Sequence, residues 1–229
     1  ESHSVFIEKG PKAYKKFQEE NLDKVLEKGV AFPFIKRFLK INHRFPEKLP
    51  VEVVLLSRNS AATGKRVFRS IKHYDLDISR AAFMEGKSPF EYIPAFNASL
   101  FLSANEEDVQ NAIDAGYPGG VVLPSKTVSD DENDELRIAF DFDGVIADDE
   151  AEAIFKGGDL PEFHAYEVAN SETPHKPGPL ADLFKKLSFL QKLEDREIEK
   201  DRNYKRALTT AIVTARNAPA HERVITTLE

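Results

Sequence analysis

Short apolar runs alternate along this chain with longer segments in which apolar residues recur at helical spacing. The short runs, rich in Val, Ile and Leu, predict β-strands, and the periodic segments predict amphipathic helices. Strands that alternate with helices in this way favour parallel βαβ units and a three-layer, Rossmann-like α/β fold. The predicted strands are Val51–Ser57, Ala98–Leu102, Val121–Leu123, Leu136–Phe140 and Ala211–Val213, and the predicted helices are Pro11–Glu27, Phe34–Ile41, Ala61–His73, Glu106–Ala115 (capped by Ser103 or Asn105) and one beginning near Pro219.

The two halves of the chain resemble each other. Residues 1–10 match residues 150–159, and the same offset of 149 carries Gly29 onto Gly178. Residues 53–68 match residues 210–225 at an offset of 157, and the difference is absorbed between Lys186 and Ala207, predicted as a charged loop or solvated helix. The pattern predicts an internal duplication of one α/β unit. The later matched pairs are Ser57 with Thr214, Arg66 with Arg223, and Val67 with Val224.

The acidic segment at 129–135 is the best candidate for the boundary between the halves. We therefore expect an N-terminal domain at 1–129 and a C-terminal domain at 130–229. Within the second domain, residues 151–206 are too long for a simple crossover and predict a flap with a small helical cap. Four polar residues of this segment are candidate substrate contacts: His164, Asn170, His175 and Lys176. The alternative is that they face water in a solvated loop.

Composition narrows the class of protein. The chain has 229 residues, a net charge of −7 and no cysteine. The acidic balance, without a basic stripe, argues against a nucleic-acid partner, and the absence of thiols removes disulfides and thiolate metal sites. No apolar run is long enough to span a membrane. A cytoplasmic protein is the expectation, and self-association into a homo-oligomer is compatible with the sequence.

The segment LRIAFDFDGVIADD at 136–149 is the strongest chemical signal. A buried parallel strand is predicted to end at Asp141–Phe142–Asp143, and Gly144 then allows a tight turn. Ligands of open α/β sheets collect past the carboxyl ends of the strands. Asp141 is predicted to attack phosphorus, and Asp143, as a carboxyl outside any ion pair, to shuttle the proton. The Asp141 carboxylate and the Asp143 carbonyl offer Mg²⁺ two oxygen ligands.

A second strand, in TTAIVTARN at 209–217, ends in a hydroxyl. Thr214 and the backbone N–H groups of Ala215 and Arg216 are predicted to bind phosphate oxygens, aided by the N-terminus of the helix that follows. A threonine that merely caps this turn is the alternative interpretation. The Arg216 side chain fits either a phosphate ligand or an exposed arginine at a helix start.

These motifs resemble those of a known enzyme superfamily. DFDGVIADD is similar to the first motif of the haloacid-dehalogenase-like phosphohydrolases, and AIVTARN is similar to the second. Together with LLSRNSAATGKRVFRSI and FNASLFLSANEEDVQNAIDAG, they resemble the cytosolic 5′-nucleotidase family, the type I, AMP-preferring kind and its bacterial relatives. The resemblance implies Mg²⁺-dependent hydrolysis of nucleoside 5′-monophosphates, with Asp141 as nucleophile, Asp143 as acid and base, and Thr214 on the phosphate.

The resemblance also implies a later lysine and an acid pair, for which the fifteen residues after Thr214 leave no room. Corresponding places in the first half hold Lys87 and Ser103–Ala104, so that half is expected to be a non-catalytic copy. We expect the chain to be trimmed at both ends. A further alternative is that Lys87 and an acid at 106–108 complete the catalytic site of the second half across the repeat interface. A phosphatase for another small phosphomonoester and an inactive binding protein of this fold are the other functions left open.

Overall fold

The computed structural model describes residues 2–125, 133–150, 157 and 160–229. The chain divides into two compact units, Glu1–Asp134 and Glu135–Glu229. The domain boundary predicted between residues 129 and 130 lies outside the described residues, as do most residues of the segment 150–159, which is matched to 1–10. Within the described ranges, no helix combines the length and the apolar content needed to cross a bilayer.

Helices and short strands alternate in both units. Unit 1 contains helices α1 to α4 and strands β1 to β4, with two 3₁₀ turns at Pro89–Tyr92 and Pro94–Phe96. Unit 2 contains β5, β6 and α5 to α7. The bounds are α1 Ser2–Glu20, α2 Phe32–Arg44, β1 Val54–Ser57, α3 Ala61–His73, β2 Arg80–Phe83, β3 Phe101–Ser103, α4 Glu106–Asp114, β4 Gly119–Val121, β5 Leu136–Asp141, α5 Leu160–Ala169, α6 Ala181–Lys200, β6 Leu208–Val213 and α7 His221–Leu228.

All strand pairs in the described residues are parallel, which confirms the α/β class. The strands form three two-stranded sheets, β1 with β2, β3 with β4, and β5 with β6. Asn105 is the residue that caps α4, because its side chain accepts a hydrogen bond of 3.0 Å from the Asp108 N–H. Ile93, Phe101, Val109 and Ala112 form a buried cluster between α4 and its neighbouring strands.

The predicted burial of β5 is wrong on one face of the strand. Leu136 and Phe140 are buried, but Arg137 and Ala139 are exposed. The reason is that α6 covers one face, where the rings of Phe140 and Phe184 meet edge to face at 5.6 Å. The strand is therefore half-buried rather than enclosed between two layers.

The bounds of several elements differ from the prediction, and the largest differences concern strand β2 and the first helix. Strand β2 is missed, because Arg80–Phe83 is four residues long and contains two alanines, so its β signal is weak. The first helix ends at Glu20, not Glu27, and is broken at Gly10, whose φ is +76°. At this end the Phe17 carbonyl accepts hydrogen bonds from both the backbone N–H of Asn21, at 3.0 Å, and its side-chain N–H, at 2.8 Å.

Each unit contains a buried arginine, and the two arginines make equivalent contacts within their own units. In unit 1, Arg66 Nε donates to the Lys24 carbonyl at 2.7 Å. In unit 2, Arg223 Nε donates to the Thr173 carbonyl at 2.9 Å. The arginines are 157 residues apart and the carbonyls 149 apart, which are the offsets of the two sequence matches.

A second pair of hydrogen bonds repeats at the same offsets. The Leu26 N–H donates to Ser70 Oγ at 2.9 Å, and the His175 N–H donates to Thr227 Oγ1 at 3.0 Å. Each hydroxyl also donates to the carbonyl of the arginine one helical turn earlier. The loop before α2 and the loop before α6 are thus fixed by equivalent contacts.

Helix α6 absorbs most of the length difference between the two matches. It has 20 residues, against 13 in α2. The segment predicted as a charged loop or solvated helix continues α6 as far as Lys200, and its side chains are partly enclosed. Leu193 and Glu194 are buried, and Glu194 Oε1 accepts hydrogen bonds from the Ala207 N–H at 2.6 Å and the Tyr204 hydroxyl at 3.0 Å.

Gly178 lies where a side chain does not fit. A Cβ at this position meets the Ala147 and Val145 carbonyl oxygens, at 2.3 and 2.7 Å, whereas a Cβ at Gly29 meets nothing within 4 Å. We predict that Gly178→Ala lowers the free energy of unfolding by about 1–3 kcal/mol, because backbone must move to admit the methyl group. Urea denaturation measures the loss, and Gly29→Ala is the matched control, with an expected change below about 1 kcal/mol. Equal effects of the two substitutions would contradict the packing described here.

Candidate active site

The parallel pairing of β5 with β6 sets the position of the candidate site. The register places Asp141 opposite Val213, so Thr214 follows immediately at the same edge of the sheet. Parallel strands present their carboxyl ends together, and ligands of α/β proteins bind at this edge. The structure therefore brings the two predicted motifs side by side.

Asp141 is exposed at the end of β5. One of its carboxylate oxygens accepts a hydrogen bond of 2.7 Å from the Phe142 N–H. The chain then makes a single wide turn, closed by a hydrogen bond of 3.0 Å from the Ala147 N–H to the Phe142 carbonyl. Gly144 has a φ of +70° within this turn, so the conformation that the sequence predicts for glycine is present.

Asp143 is held by Arg216 in a bidentate ion pair. Arg216 Nε lies 3.1 Å from each carboxylate oxygen, and Nη2 lies 2.5 Å from Oδ1. The sequence-based expectation that the Asp143 carboxyl lies outside any ion pair is therefore wrong. The cause is the burial of Arg216, whose side chain is 4% exposed and needs negative partners.

Arg216 belongs to a larger buried cluster, which we call the guanidinium cluster: Asp143, Glu167, His175, Arg216 and Arg223. Glu167 is its centre, since one oxygen binds Arg216 Nη1 and the other binds Arg223 Nη1 at 3.0 Å. His175 Nε2 lies 3.2 Å from Arg216 Nη1 and 3.4 Å from Glu167. A ring nitrogen either accepts from the arginine or donates to the carboxylate, so these two contacts are alternatives.

Electrostatic interactions in the cluster shift the pKa values of both its acidic and its basic groups. Burial alone would raise the pKa of Glu167, but the hydrogen bond from His175 and the charge of Arg216 outweigh it and hold the pKa below its usual value. Burial likewise opposes the charged form of Arg216, and Asp143 and Glu167 together raise its pKa above the usual range. The cluster is therefore charged and internally compensated.

Aromatic rings fix the plane of the Arg216 guanidinium. Its central carbon lies 5.2 Å from the Phe142 ring centroid and 5.6 Å from that of Phe163. His175 meets the Phe142 ring edge to face at 5.5 Å. The Arg216 side chain is thus buried, not exposed at a helix start, and the phosphate contact predicted for it stays a prediction.

Thr214 and Ala215 lie at the end of β6. The Thr214 hydroxyl accepts a hydrogen bond of 3.2 Å from the Arg216 N–H, so it stabilises the turn as a cap does. Ala215 is exposed beside it. This contact accounts for the turn without a bound ligand. The phosphate role predicted for Thr214 and Ala215 stays a prediction.

The candidate substrate contacts at 164–176 have separate local roles. His164 Nε2 lies 3.0 Å from the Asn217 side chain, and Asn170 donates to the Tyr166 carbonyl at 2.9 Å. Lys176 is exposed and lies 3.8 Å from Glu150. Of these candidates, His175 is the one that the structure places in the guanidinium cluster.

The acidic positions 106–108 in unit 1 also contain a paired carboxylate. Asp108 is buried and accepts hydrogen bonds from Arg58, with Nε at 3.0 Å, and from the Ser88 hydroxyl at 2.5 Å. Ser103 Oγ accepts from the Asn105 N–H at 3.1 Å. These side chains stabilise the first turn of α4 within unit 1.

The donor set at the end of β5 suits a hard cation in part. Asp141 presents an exposed carboxylate, and such oxygen ligands are those that Mg²⁺ prefers. Asp148, a few residues further on, has a buried Oδ1 without a hydrogen-bond partner. Among the residues that the structure describes, no three His, Cys, Asp or Glu side chains group together as a metal cluster. A metal here would therefore depend on water and phosphate oxygens for most of its coordination.

Comparisons with known proteins define the family. A sequence model described as 5′-nucleotidase matches residues 1–229. Cytosolic 5′-nucleotidase 1B of Homo sapiens is 32% identical over 240 residues, which cover 100% of this chain and 38% of that protein. The chain thus spans well under half of the curated relative that it matches. No solved structure matches the chain. The chain belongs to the 5′-nucleotidase family, which confirms the resemblance drawn from its motifs.

Glu167 is the functional candidate that sequence reasoning missed. It lies within a helical segment that carries no motif, and a glutamate there is indistinguishable from a solvated one. A signal was nevertheless present, because the repeat match pairs Arg66 with Arg223. A buried arginine at both positions requires a buried acceptor nearby, and Glu167 is that acceptor in unit 2.

Removal of Glu167 is expected to destabilise unit 2. Glu167→Ala leaves Arg216 and Arg223, each 4% exposed, without their shared carboxylate. We predict a loss of about 3–5 kcal/mol in the free energy of unfolding, measured by chemical denaturation. Lys200→Ala, which removes an exposed ion pair with Glu197, is the control and is expected to cost less than about 1 kcal/mol. A loss of that small size for Glu167→Ala would contradict the cluster.

Acid should weaken the same interaction. The pKa of Glu167 is held below its usual value of 4.5, so its charged form stabilises the folded state fully above that pH. The contribution is lost as the pH falls from 4.5 toward the lower pKa of the folded state. Denaturation curves from neutral pH to pH of about 3 are predicted to show a steeper loss for the wild type than for Glu167→Gln. Parallel curves would refute this assignment.

Proposed function

We propose that this protein is a 5′-nucleotidase that hydrolyses nucleoside 5′-monophosphates to a nucleoside and inorganic phosphate. The observation that carries the proposal is the exposed Asp141 at the end of β5, beside β6, in a chain that belongs to the 5′-nucleotidase family. The name of the human relative gives the class of substrate. The proposed setting is the cytoplasm, with a small nucleotide as partner and neither nucleic acid nor membrane.

Asp141 acts as the nucleophile in this proposal. One carboxylate oxygen forms a bond to phosphorus as the bond from phosphorus to the ester oxygen breaks, which gives an acyl phosphate. Asp143 takes up a proton from solvent, gives it to the leaving oxygen and later takes one from the water that hydrolyses the acyl phosphate. Asp143 is 24% exposed, so its carboxyl can be reached from solvent although Arg216 binds it.

The phosphate and the cation have proposed ligands at the same edge. The Thr214 hydroxyl and the backbone N–H groups of Ala215 and Arg216 would bind phosphate oxygens. Mg²⁺ would be held by the Asp141 carboxylate and the Asp143 carbonyl, together with water and phosphate oxygens. When bound, the cation offsets the negative charge that the phosphate and the carboxylates bring together.

We also infer that the two units are copies of one haloacid-dehalogenase-like α/β unit, with 1–129 the non-catalytic copy and 130–229 the catalytic one. The arginine and hydroxyl contacts that repeat at offsets of 149 and 157 support this. On this alignment α5 and α6, within the predicted cap at 151–206, correspond to α1 and α2 of unit 1. The two helices then belong to the repeated unit and not to an added cap.

Phosphate release is the experiment that tests the function. With Mg²⁺ present, the protein is expected to release phosphate from AMP or IMP faster than from a panel of sugar phosphates. Chelation with EDTA should abolish the release, and added Mg²⁺ should restore it. Absence of release from every nucleotide would refute the proposal, and a preference for sugar phosphates would favour a different phosphomonoesterase.

The nucleophile is tested by Asp141→Asn. Because the amide is a poor nucleophile, we predict a fall in kcat of on the order of 10³-fold or more. The exposed side chain contributes little packing, so the thermal midpoint should stay close to that of the wild type. Asp149→Asn, at another exposed aspartate of the segment, is the matched control and is expected to remain active. Substantial residual activity in Asp141→Asn would exclude it as the nucleophile.

A further inference from the structure

Unit 1 contains a neutral counterpart of the guanidinium cluster. Gln18 lies 149 residues before Glu167, and its Oε1 accepts a hydrogen bond of 3.2 Å from Arg66. Glu167 Oε1 accepts one of 3.0 Å from Arg223 in the same way. Gln18 is buried as well, with 5% exposure. A neutral amide therefore occupies in unit 1 the position that a carboxylate occupies in unit 2.

The position of Arg216 is neutral in unit 1 too. Its counterpart, 157 residues earlier, is Asn59, whose side-chain oxygen accepts a hydrogen bond of 3.3 Å from the Tyr14 hydroxyl. In unit 2 the residue matching Tyr14 is Phe163, and the Arg216 guanidinium lies 5.6 Å from its ring centroid. The same two positions are in contact in both units, but in unit 2 one of them is the charged Arg216.

We propose that Glu167 is a positioning residue for Asp143 and acts through Arg216. The inference rests on the proposed function, in which Asp143 moves the proton. Burying a carboxylate and a guanidinium together costs desolvation and adds little net stability over neutral partners. The two corresponding residues of unit 1 are neutral, and we attribute the charges in unit 2 to what they hold, which is the carboxyl next to the nucleophile.

The geometry shows how the positioning operates. Glu167 binds Nη1 of Arg216, which turns the edge that carries Nε and Nη2 toward Asp143. Phe142, fully buried, lies against the guanidinium at 5.2 Å and prevents it from tilting. Asp143 is therefore gripped on two hydrogen-bonding atoms in one plane, and its carboxyl has a fixed direction relative to Asp141.

Glu167→Gln tests the proposal directly. The amide keeps an oxygen for Arg223, as Gln18 does for Arg66, so the variant is expected to fold. Its N–H₂ group then faces Arg216 and cannot accept a hydrogen bond from it. We expect kcat for AMP hydrolysis to fall on the order of 10- to 100-fold, with KM changed by less than about twofold. Gln18→Glu, the reciprocal change in unit 1, is the matched control and should leave both constants unchanged.

A double-mutant cycle separates positioning from a purely structural role. If Glu167 acts through Arg216, Glu167→Gln should add no further loss of kcat to Arg216→Gln. Multiplicative effects, or a Glu167→Gln enzyme with wild-type kcat, would overturn the positioning role and leave the nucleotidase function intact. If Glu167→Gln does not fold, Glu167→Asp is used instead. The NMR signals of the Arg216 side-chain N–H groups then report whether this side chain is still ordered. Wild-type order of Arg216 with reduced kcat would also overturn it, and a wild-type protein without activity would overturn both proposals.

Discussion

The need to neutralise a buried guanidinium organises the candidate site. Arg216 is enclosed by aromatic rings, and an unpaired charge in such a place costs several kcal/mol by the usual magnitude for a broken buried ion pair. It is paired on one side with Asp143 of the wide turn after β5 and on the other with Glu167 of α5. Through these contacts one side chain ties the end of β6 to the acidic motif and to the helix that covers it.

The same requirement explains how two similar units differ. Both place an arginine of the helix that follows the strand against a loop carbonyl, and both fix that loop with a hydroxyl. Unit 1 completes this arrangement with the neutral Gln18 and Asn59. Unit 2 completes it with Glu167 and Arg216, next to the acidic motif. At these two positions the charged residues thus belong to the unit that presents Asp141.

The sequence predicts most of the elements and part of the site. The bounds of α3 and the presence of strands β5 and β6 follow from apolar spacing, because long periodic or strongly apolar segments carry their own signal. The edge location of Asp141 follows in turn from the parallel strands. The ion pair of Asp143 and the role of Glu167 do not follow, since charge pairing between segments far apart in sequence depends on tertiary packing. Strand β2 is not predicted for a different reason, which is that its four residues have too weak a β-strand propensity.

The central claim is that Asp141 accepts the phosphoryl group. Beryllofluoride mimics a phosphoryl group on a carboxylate, so a crystal structure with Mg²⁺ and beryllofluoride tests this claim most directly. The account predicts beryllium bonded to a carboxylate oxygen of Asp141, with Thr214 within hydrogen-bond distance of the fluorides and Arg216 still on Asp143. Beryllofluoride bound at another carboxylate, or absent from the edge formed by β5 and β6 under conditions in which the protein hydrolyses AMP, would contradict it.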